Sequence, residues 1–298
     1  MNYKPLGNSS LRISEIGFGC MSLPNNDEVD SMILHKAVDM GINFFDTADL
    51  YNKGMNEVSV GKALKEKRDK IVLATKVGNQ WRSDGSGWDW NPKKEYILAA
   101  AEESLKRLQT DRIDLYQLHG GTIDDPIDDA IDAFERLKHQ GKILYYGISS
   151  IRPNVIREYV KRSNIVSVMM QYSPLDRRPE ESCLELLHSN NIGVLARGVL
   201  AQGLLVNKPP KEYLNYKNEE VKKVATVVHS LSGKKRTAAQ TALRFVLHHP
   251  AIRSAVIGVR TIEQLKEVVH TVSTSPLTDE EINQLRNSVP VNFYEQHR

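Results

Sequence analysis

The stretch IDLYQLHGGTIDDPIDDAIDAFERLKHQGKILYY, residues Ile113–Tyr146, contains one complete strand–helix–strand unit. Two short apolar runs, Ile113–Tyr116 and Ile143–Tyr146, flank a segment in which apolar residues recur every three or four positions. That spacing, over Ile127–Leu137, predicts a helix with one wet face and one buried face, which Gly141 closes. Strands that alternate with helices in this way indicate parallel pairing.

The same unit repeats along the whole chain of 298 residues. Eight apolar runs are interpreted as buried strands, most of them followed by a helical pattern: Ile16–Gly19, Ile42–Phe45, Ile71–Ala74, Ile113–Tyr116, Ile143–Tyr146, Ile165–Val168, Ile192–Leu195 and Ala255–Ile257. They predict an α/β fold, a single (β/α)8 TIM barrel domain over residues 1–298. The alternative, a doubly wound dinucleotide-binding sheet, lacks its fingerprint because Gly17–Ser22 has no third glycine of G-x-G-x-x-G.

Three further segments extend the bare barrel. Tyr3–Ser14, with Gly7 and Asn8 as a turn signal, predicts an N-terminal β-hairpin that plugs the bottom of the barrel. Residues 79–92 hold all three tryptophans of the chain and predict a long loop after the third strand. The tryptophan rings would line an apolar pocket or pack on the scaffold. Thr278–Glu281 is a capping box and predicts an extra C-terminal helix.

The composition argues against several classes of partner. The chain has 40 Lys and Arg against 37 Asp and Glu, a net charge of +3, and the two signs are interleaved. Nucleic-acid binding would need basic residues clustered on one face. No apolar run is long enough for a membrane span and no signal sequence is visible, so we expect a cytoplasmic protein without a membrane partner. Cys20 and Cys183 lie outside any Cys/His pattern, so we expect no metal site.

Ionisable side chains stand at the ends of three consecutive predicted strands. Asp46, Lys76 and His119 close the second, third and fourth strands, and Tyr51 lies five residues after Asp46. In a barrel, the carboxyl ends of neighbouring strands meet at one rim. Each residue alone would suit a structural role, but charges gathered at one rim need partners because burying an unpaired charge is costly. We therefore expect these four residues to form the catalytic site.

This set of groups suits proton transfer to an oxygen. An ammonium beside a carboxylate forms an ion pair, and an ammonium beside a phenol favours the phenolate, which makes Tyr51 a suitable general acid near neutral pH. A neutral His119 would donate from one ring nitrogen and orient a carbonyl oxygen. Together these groups would protonate an oxygen that gains negative charge as a hydride reaches the adjacent carbon.

Four motifs resemble those of the aldo-keto reductases: Phe45–Tyr51, Ala74–Gly78, Asp114–His119 and Gly141–Ser149. The resemblance extends almost from end to end, over Leu6–Leu265. It implies a barrel that binds NADPH across its mouth and passes a hydride reversibly to an aldehyde or ketone. It implies the same four residues as the catalytic tetrad, with Tyr51 as proton donor, Lys76 and Asp46 tuning it, and His119 orienting the substrate.

The resemblance also implies where NADP(H) binds. The nicotinamide would lie near strands five to seven, with Tyr172 beneath or beside it. The pyrophosphate would lie on the segment after strand seven, where small residues and free N–H groups suit an anion. Arg260 would pair with the adenosine 2′-phosphate at the start of a helix, which favours NADP over NAD. The implied contacts are Gly19, Cys20, Met21, Asp46, Ser149, Ser150, Gln171, Tyr172, Arg197, Gly198, Val199, Leu200, Gln202, Gly203, Leu204, Ile257, Gly258, Val259, Arg260 and Gln264.

Three positions depart from the family pattern. Ser150 and Met169 stand where relatives commonly have the Asn and Gln that hold the nicotinamide carboxamide. Met169 cannot replace an amide, and Gln171 faces the same side one rung further on, so we expect Gln171 to substitute for it. Arg197 stands where many relatives have an aromatic residue. Its guanidinium would stack on the nicotinamide, meet an acidic substrate, or point outward to a surface glutamate.

Two other functions are open at this point. A redox-sensing or scaffolding protein would keep the barrel and the cofactor, as the potassium-channel β subunits that share this fold are thought to do, but the intact tetrad favours catalysis. A metal-dependent hydrolase with Asp46 and His119 as ligands would be short of at least one ligand. Beyond a small carbonyl or alcohol, the sequence predicts neither the substrate nor the oligomeric state.

Overall fold

The computed structural model describes residues 1–298. Its strands are β1 (Tyr3–Pro5), β2 (Arg12–Ser14), β3 (Ile16–Gly19), β4 (Phe44–Asp46), β5 (Val72–Val77), β6 (Asn79–Trp81), β7 (Trp88–Trp90), β8 (Ile113–Leu118), β9 (Ile143–Ser149), β10 (Ser167–Gln171), β11 (Gly193–Arg197) and β12 (Ile252–Ile257). Its α-helices are α1 (Asp27–Asp39), α2 (Met55–Leu64), α3 (Lys94–Leu108), α4 (Ile127–His139), α5 (Pro153–Arg162), α6 (Cys183–Ser189), α7 (Asn218–Ser230), α8 (Ala238–His248), α9 (Ile262–His270) and α10 (Asp279–Arg286).

Eight strands form a closed barrel in the order β3, β4, β5, β8, β9, β10, β11, β12, and β12 pairs back to β3. Every neighbouring pair is parallel. Strands β5 and β8 are buried at every residue, because one face of each strand meets the barrel interior and the other meets helices. The predicted (β/α)8 barrel is confirmed, with strand ends that differ from the predicted runs by a few residues.

The apolar core has two parts. A cluster of 72 buried residues packs the strands against the surrounding helices. A smaller cluster of 11 buried residues fills the barrel interior and includes Phe44, Val72 and Leu115. Leu6 and Ile13, from the hairpin of β1 and β2, belong to this inner cluster and are fully buried. The predicted N-terminal hairpin is therefore present and closes the end of the barrel opposite to the carboxyl ends of the strands.

The chain beyond the last barrel strand forms helices on the outside. The predicted C-terminal helix is present as α10, and the Thr278 side chain accepts from the main chain of Glu281 while Glu281 reaches back to Thr278. This reciprocal pairing satisfies donors at the helix start that would otherwise be free. None of the helices combines the length and the apolar character that a membrane span requires.

Residues 79–92 are the main departure from the predicted fold. The expected loop is instead an antiparallel hairpin of β6 and β7, in which Trp81 pairs with Trp88 and Asn79 with Trp90. The turn is closed by a bond from the Gly85 N–H to the Arg82 carbonyl, 2.9 Å long. The prediction of a loop was wrong because cross-strand aromatic pairs stabilise even short strands.

A glycine in α2 marks a close contact between two helices. A Cβ on Gly61 would lie 2.5 Å from the carbonyl carbon and oxygen of Leu108, at the end of α3. In an isolated helix, alanine stabilises the helical state by about 1 kcal/mol relative to glycine. Here the added carbon would push main chain apart, a kind of overpacking that costs roughly 1–3 kcal/mol.

We therefore expect Gly61→Ala to lower the free energy of unfolding by roughly 1–3 kcal/mol, as measured by urea denaturation. Gly87→Ala is the matched control, because its added carbon would meet nothing nearer than 3.6 Å. A Gly61→Ala protein at least as stable as the original chain would show that α2 and α3 are further apart than described.

Candidate functional site

The side chains predicted as catalytic lie together at the carboxyl ends of adjacent barrel strands. Asp46 ends β4, Lys76 lies near the end of β5 and His119 directly follows β8. Residues two or four positions earlier on these strands, Phe44, Val72 and Leu115, belong to the inner cluster. Because side chains alternate along a strand, Asp46, Lys76 and His119 point into the barrel mouth.

Lys76 is the centre of this group and only 1% of it is exposed. Its Nζ donates to Asp46 Oδ2 at 2.6 Å, to the carbonyl of Thr47 at 2.7 Å and to the Tyr51 hydroxyl at 3.2 Å. All three protons of the ammonium are therefore used. Burial disfavours the charged form, but Asp46 and Tyr51 outweigh it, so the pKa of Lys76 lies above its ordinary value.

Tyr51 reaches the site on the loop between β4 and α2. Its ring lies edge-on to that of His119, with centroids 5.8 Å apart. The next two residues, Asn52 and Lys53, have φ of 48° and 53°, in the left-handed region that non-glycine residues rarely adopt. Below them, the Asn56 amide donates to the carbonyl of Cys20 at 2.9 Å. The loop thus follows a constrained path that turns the phenol toward Lys76.

His119 is neutral at physiological pH. Burial is the main cause, and the positive charges of Lys76 and Arg197 add to it, so the pKa of the imidazole falls to about 3. Its Nδ1 is buried and has no hydrogen-bond partner within the chain. A neutral imidazole beside a phenol can donate a hydrogen bond to a carbonyl oxygen without competing with Lys76 for Asp46.

Gln117 belongs to the site although the sequence analysis did not single it out. It is fully buried, and its Nε2 donates to Asp46 Oδ1 at 3.1 Å. Asp46 therefore accepts from Lys76 on one oxygen and from Gln117 on the other. Burial raises the pKa of the Asp46 carboxyl, and these two partners limit the rise. Gln117 holds the carboxylate in the orientation that Lys76 needs.

A second buried carboxyl belongs to Asp49, two residues before Tyr51. Asp49 is 7% exposed, and its Oδ1 has no partner within the chain. Nearby, Glu57 is fully buried and pairs with Arg107 at 2.6 Å, while the Tyr96 hydroxyl lies 3.5 Å from Asp49 Oδ2. Burial and the charge of Glu57 raise the pKa of Asp49 to about 8, despite Arg107 and Lys76. Asp49 is therefore largely protonated at neutral pH.

Four of the predicted cofactor positions, Gly19, Cys20, Met21 and Gly258, lie at the carboxyl ends of β3 and β12. Gly19 is half-buried and Met21 is exposed, whereas the Cys20 side chain is buried. Gly258 follows β12, and a Cβ on it would collide with Ser22. The main chain of these two segments therefore runs in close contact, and Cys20 can offer only its main chain to a ligand.

Arg197 and Gln171 are neighbours at the ends of β11 and β10. Leu195 and Met169, two residues earlier, belong to the inner cluster, so both polar side chains point to the mouth. The ion pairs nearby join Lys76 to Asp46 and Arg178 to Asp176, and none includes Arg197. The interpretation of Arg197 as an outward residue paired with a surface glutamate is therefore wrong.

Ser149 and Ser150 lie at the end of β9, and both are buried. The Ser150 N–H donates to the carbonyl of Met169 at 3.0 Å, which extends the pairing of β9 with β10. The Ser150 hydroxyl accepts from the N–H of Arg152 at 3.2 Å. Ser149 lies opposite Met169 in the barrel wall, two residues before Gln171, and the contact of both serines with the cofactor stays a prediction.

The segment after β11 makes a tight turn. Gly198, Ala201, Gln202 and Gly203 have φ between 46° and 92°, whereas Leu200, which lies between Gly198 and Ala201, has a φ of −95°. The N–H groups of Ala201 and Gly203 donate to the carbonyls of Gly198 and Leu200, both at 2.8 Å, which closes the turn. Backbone whose φ changes sign between neighbouring residues is typical of main-chain anion sites. Gly198 and Gln202 are exposed and Leu200 and Gly203 are half-buried, whereas the side chains of Val199 and Leu204 are buried.

Tyr172 is placed differently from the prediction. Its ring is 1% exposed, lies 5.8 Å from Phe245 of α8, and its hydroxyl donates to Glu180 Oε1 at 2.7 Å. The side chain thus fills the layer between the barrel and the helices. This placement is at odds with an aromatic ring lying against the nicotinamide, because Tyr172 follows Gln171 and alternation turns it outward.

The predicted adenosine end lies between β12 and α9. Ile257 and Val259 are buried, whereas Gly258, Arg260 and Gln264 are exposed. The Gln264 side chain accepts from the Arg260 N–H at 2.8 Å, and Thr261 caps the start of α9. Arg260 therefore lies one residue before the N-cap of α9, beside a helix N-terminus, where an anion is favoured. The chain has no cluster of three or more His, Cys, Asp or Glu suited to a metal ion.

Known proteins resemble this chain in sequence and in fold. The family model described as Aldo/keto reductase family matches residues 15–289. The chain is 48% identical over 307 residues to the uncharacterized oxidoreductase YqkF of Bacillus subtilis, covering 100% of both proteins. It is 33% identical over 222 residues to the aldo-keto reductase yakc of Schizosaccharomyces pombe, covering 70% of this chain and 65% of that relative.

The same similarity holds in three dimensions. The structure superposes on the holo form of aldo-keto reductase AKR11C1 from Bacillus halodurans with a TM-score of 0.94 and 50% identity, covering 100% of this chain and 99% of that chain. The chain therefore belongs to the aldo/keto reductase family and is an oxidoreductase of that family.

The raised pKa of Asp49 leads to a prediction about stability. In the unfolded chain an aspartate has a pKa of about 3.9, whereas in the folded chain the value is about 8. Between these values the folded protein keeps a proton that the unfolded chain releases, so Asp49 lowers stability increasingly as the pH rises from about 4 to about 8. An asparagine at this position does not titrate.

We expect Asp49→Asn to raise Tm relative to the original chain, by more at pH 8 than at pH 5, and by about 2 °C or more at pH 8. Differential scanning calorimetry at the two pH values measures this. Asp124→Asn, at an exposed carboxyl, is the control and should leave the Tm difference independent of pH. A gain in Tm that shrinks toward pH 8 would contradict the protonated state of Asp49.

Proposed function

We propose that the protein is an NADPH-dependent reductase of aldehydes or ketones, acting reversibly, with Tyr51 as the general acid. The observation that carries this proposal is the threefold donation of Lys76 Nζ to Asp46, Thr47 and the Tyr51 hydroxyl at the barrel mouth. Because Lys76 donates to the phenol oxygen, the proton of Tyr51 is free for another acceptor. A carbonyl oxygen placed between Tyr51 and His119 would be that acceptor.

The residues around the mouth fit an extended dinucleotide. Gly198 and Ala201–Gly203 have positive φ, a backbone pattern that suits a pyrophosphate. Arg260 projects at the N-terminus of α9 and is exposed, which suits a 2′-phosphate. Two related proteins support the assignment, since yakc is named with NADP(+) and AKR11C1 was solved in a holo form. When bound, the cofactor supplies a hydride to the carbonyl carbon.

The chain's own residues then handle the proton and the charge. Tyr51 donates its hydroxyl proton to the carbonyl oxygen, and Lys76 stabilises the phenolate that remains. Asp46, held by Gln117, keeps Lys76 charged. Neutral His119 donates a hydrogen bond that orients the carbonyl oxygen. In the oxidation of an alcohol the same groups act in reverse, and the Tyr51 phenolate accepts the proton.

Gln171 and Arg197 would contact the nicotinamide end of the cofactor. Both point to the mouth from neighbouring strands, and the Gln171 side chain lies within 4 Å of the position that a Cβ on Gly198 would take. The Gln171 amide can donate to and accept from a carboxamide, which Met169 cannot do. Arg197 has no carboxylate partner among the nearby ion pairs, so its guanidinium is free to stack on the ring or to meet an acidic substrate.

We expect Tyr51→Phe to reduce kcat for NADPH-dependent reduction of a panel of aldehydes by at least about 100-fold, because general-acid catalysis contributes roughly 10²–10⁴. The Kd of NADPH, measured by fluorescence titration, should change by less than about threefold. Tyr145→Phe is the matched control, since its hydroxyl bonds to Ser10 at the other end of the barrel. Equal rates for Tyr51→Phe and the original chain would instead favour a redox-sensing or scaffolding protein that only binds the cofactor.

We expect Arg260→Ala to weaken NADPH binding by about 10–100-fold, the loss of one or two charge-assisted hydrogen bonds of roughly 1.5–3 kcal/mol. The Kd of NADH, which lacks the 2′-phosphate, should change little. Lys266→Ala, an exposed cation on the same helix, is the control and should affect neither cofactor. An equal loss for NADPH and NADH would place the 2′-phosphate elsewhere.

A further inference from the structure

The hairpin of β6 and β7, Asn79–Trp90, contacts both loops that carry the proposed proton-transfer residues. We call it the mouth hairpin. It follows β5, which carries Lys76, after a single residue, Gly78. Its strands are only three residues long and it lies outside the barrel sheet. Because a hairpin this short is only marginally stable by itself, its order depends on its contacts with the rest of the protein.

One side of the mouth hairpin holds the Tyr51 loop. The indole Nε1 of Trp81 donates to the carbonyl of Leu50, the residue before Tyr51, at 3.3 Å. The Lys53 ammonium lies 5.2 Å from the centroid of the Trp81 ring and donates to the carbonyl of Gly85 at 3.4 Å. The residues on both sides of Tyr51 are therefore tied to the hairpin.

The left-handed backbone of Asn52 and Lys53 makes this contact significant. Neither residue is a glycine, yet both have φ near 50°. Such a conformation persists only where the surrounding structure holds it in place. The cation–π contact of Lys53 with Trp81 and the bond from Trp81 to Leu50 are contacts that hold the loop on that path.

The other side of the mouth hairpin holds the His119 loop. The Asn79 amide donates to the carbonyl of His119 at 3.3 Å, and Asn79 is 6% exposed. The Trp90 ring covers Gly120, where an added Cβ would lie 3.2 Å from it. The Trp90 indole also donates to Asp125, which accepts from Thr122 in the same loop.

We infer that the mouth hairpin sets the positions of Tyr51 and His119 relative to each other, with Trp81 and Trp90 as its positioning residues. Neither tryptophan needs to touch the substrate for this. The two groups that would hold the carbonyl oxygen come from different barrel strands, and the hairpin bridges their loops. Trp88 lies on the same hairpin but is 47% exposed and makes none of these contacts, so it provides an internal comparison.

The inference rests on the proposed carbonyl reduction and is tested with Trp81→Phe, Trp90→Phe and Trp88→Phe. Phenylalanine keeps an aromatic ring but removes the indole N–H that bonds to Leu50 or Asp125. A small misplacement of a reacting group costs up to about 100-fold in rate. We expect Trp81→Phe and Trp90→Phe each to lower kcat by about 10-fold or more, and Trp88→Phe by less than about twofold. The Kd of NADPH and the KM of the carbonyl should change by less than about threefold.

The split between kcat and KM separates positioning from contact with the substrate. If the tryptophans only lined the pocket, KM would rise and the loss would vary with the size of the aldehyde, which would overturn the inference. Lys53→Met is a second variant at an exposed site, and it removes the charge over Trp81 while keeping the stem. Lys53→Met should also lower kcat, so the inference can be tested even if Trp81→Phe fails to fold.

Hydrogen exchange gives a readout that does not need turnover. In Trp81→Phe the amides of residues 50–54 should exchange faster, and in Trp90→Phe those of residues 119–125, while Trp88→Phe should match the original chain. Unchanged exchange in both segments would overturn the inference. If the original chain reduced no carbonyl, the proposed function would fail, whereas the exchange measurement would still decide whether the hairpin holds the two loops.

Discussion

An ion pair between Lys76 and Asp46, almost completely buried at the mouth of the barrel, is the interaction around which the site is arranged. Removing two charges from water is costly, and a buried pair is often no more stable than apolar residues of the same volume. The pair is tolerated here because Thr47, Tyr51 and Gln117 satisfy its remaining donors and acceptors. Such an arrangement contributes less to stability than to fixing an ammonium beside a phenol, which is the requirement of proton transfer.

The closed parallel barrel explains why most of the tetrad could be predicted from sequence. Asp46, Lys76 and His119 stand at or just after strand ends, and a parallel barrel brings all such ends to one rim. Alternation then decides direction, so Arg197 and Gln171 could be placed in the mouth from Leu195 and Met169 before them. Tyr51 is different, since the sequence placed it near the rim only by its distance of five residues from Asp46, and its direction depends on a loop with two left-handed residues.

Other features required the structure for physical reasons. Gln117 lies two residues before His119, so the alternation of side chains along the strand places both on the inward face. The sequence analysis did not use this signal. Tyr172 follows Gln171 and is turned outward by the same rule, so the expected contact of its ring with the nicotinamide was wrong. The mouth hairpin has strands too short for a periodic pattern. Its Asp84-Gly85 turn flanked by tryptophans was the available signal.

The charges around the mouth have a common effect on an oxygen that becomes negative. Asp46 is paired with Lys76 and Glu57 with Arg107, while burial keeps Asp49 protonated near neutral pH. None of these carboxyls therefore leaves an uncompensated negative charge beside Tyr51. Arg197, by contrast, adds a positive charge that acts on both Asp46 and His119. The resulting field favours an alkoxide over a neutral carbonyl, because fixed charges act more strongly where water is excluded. Together with burial, it lowers the pKa of His119 and keeps the imidazole neutral, which suits the hydrogen-bond donor that we propose beside Tyr51 as the general acid.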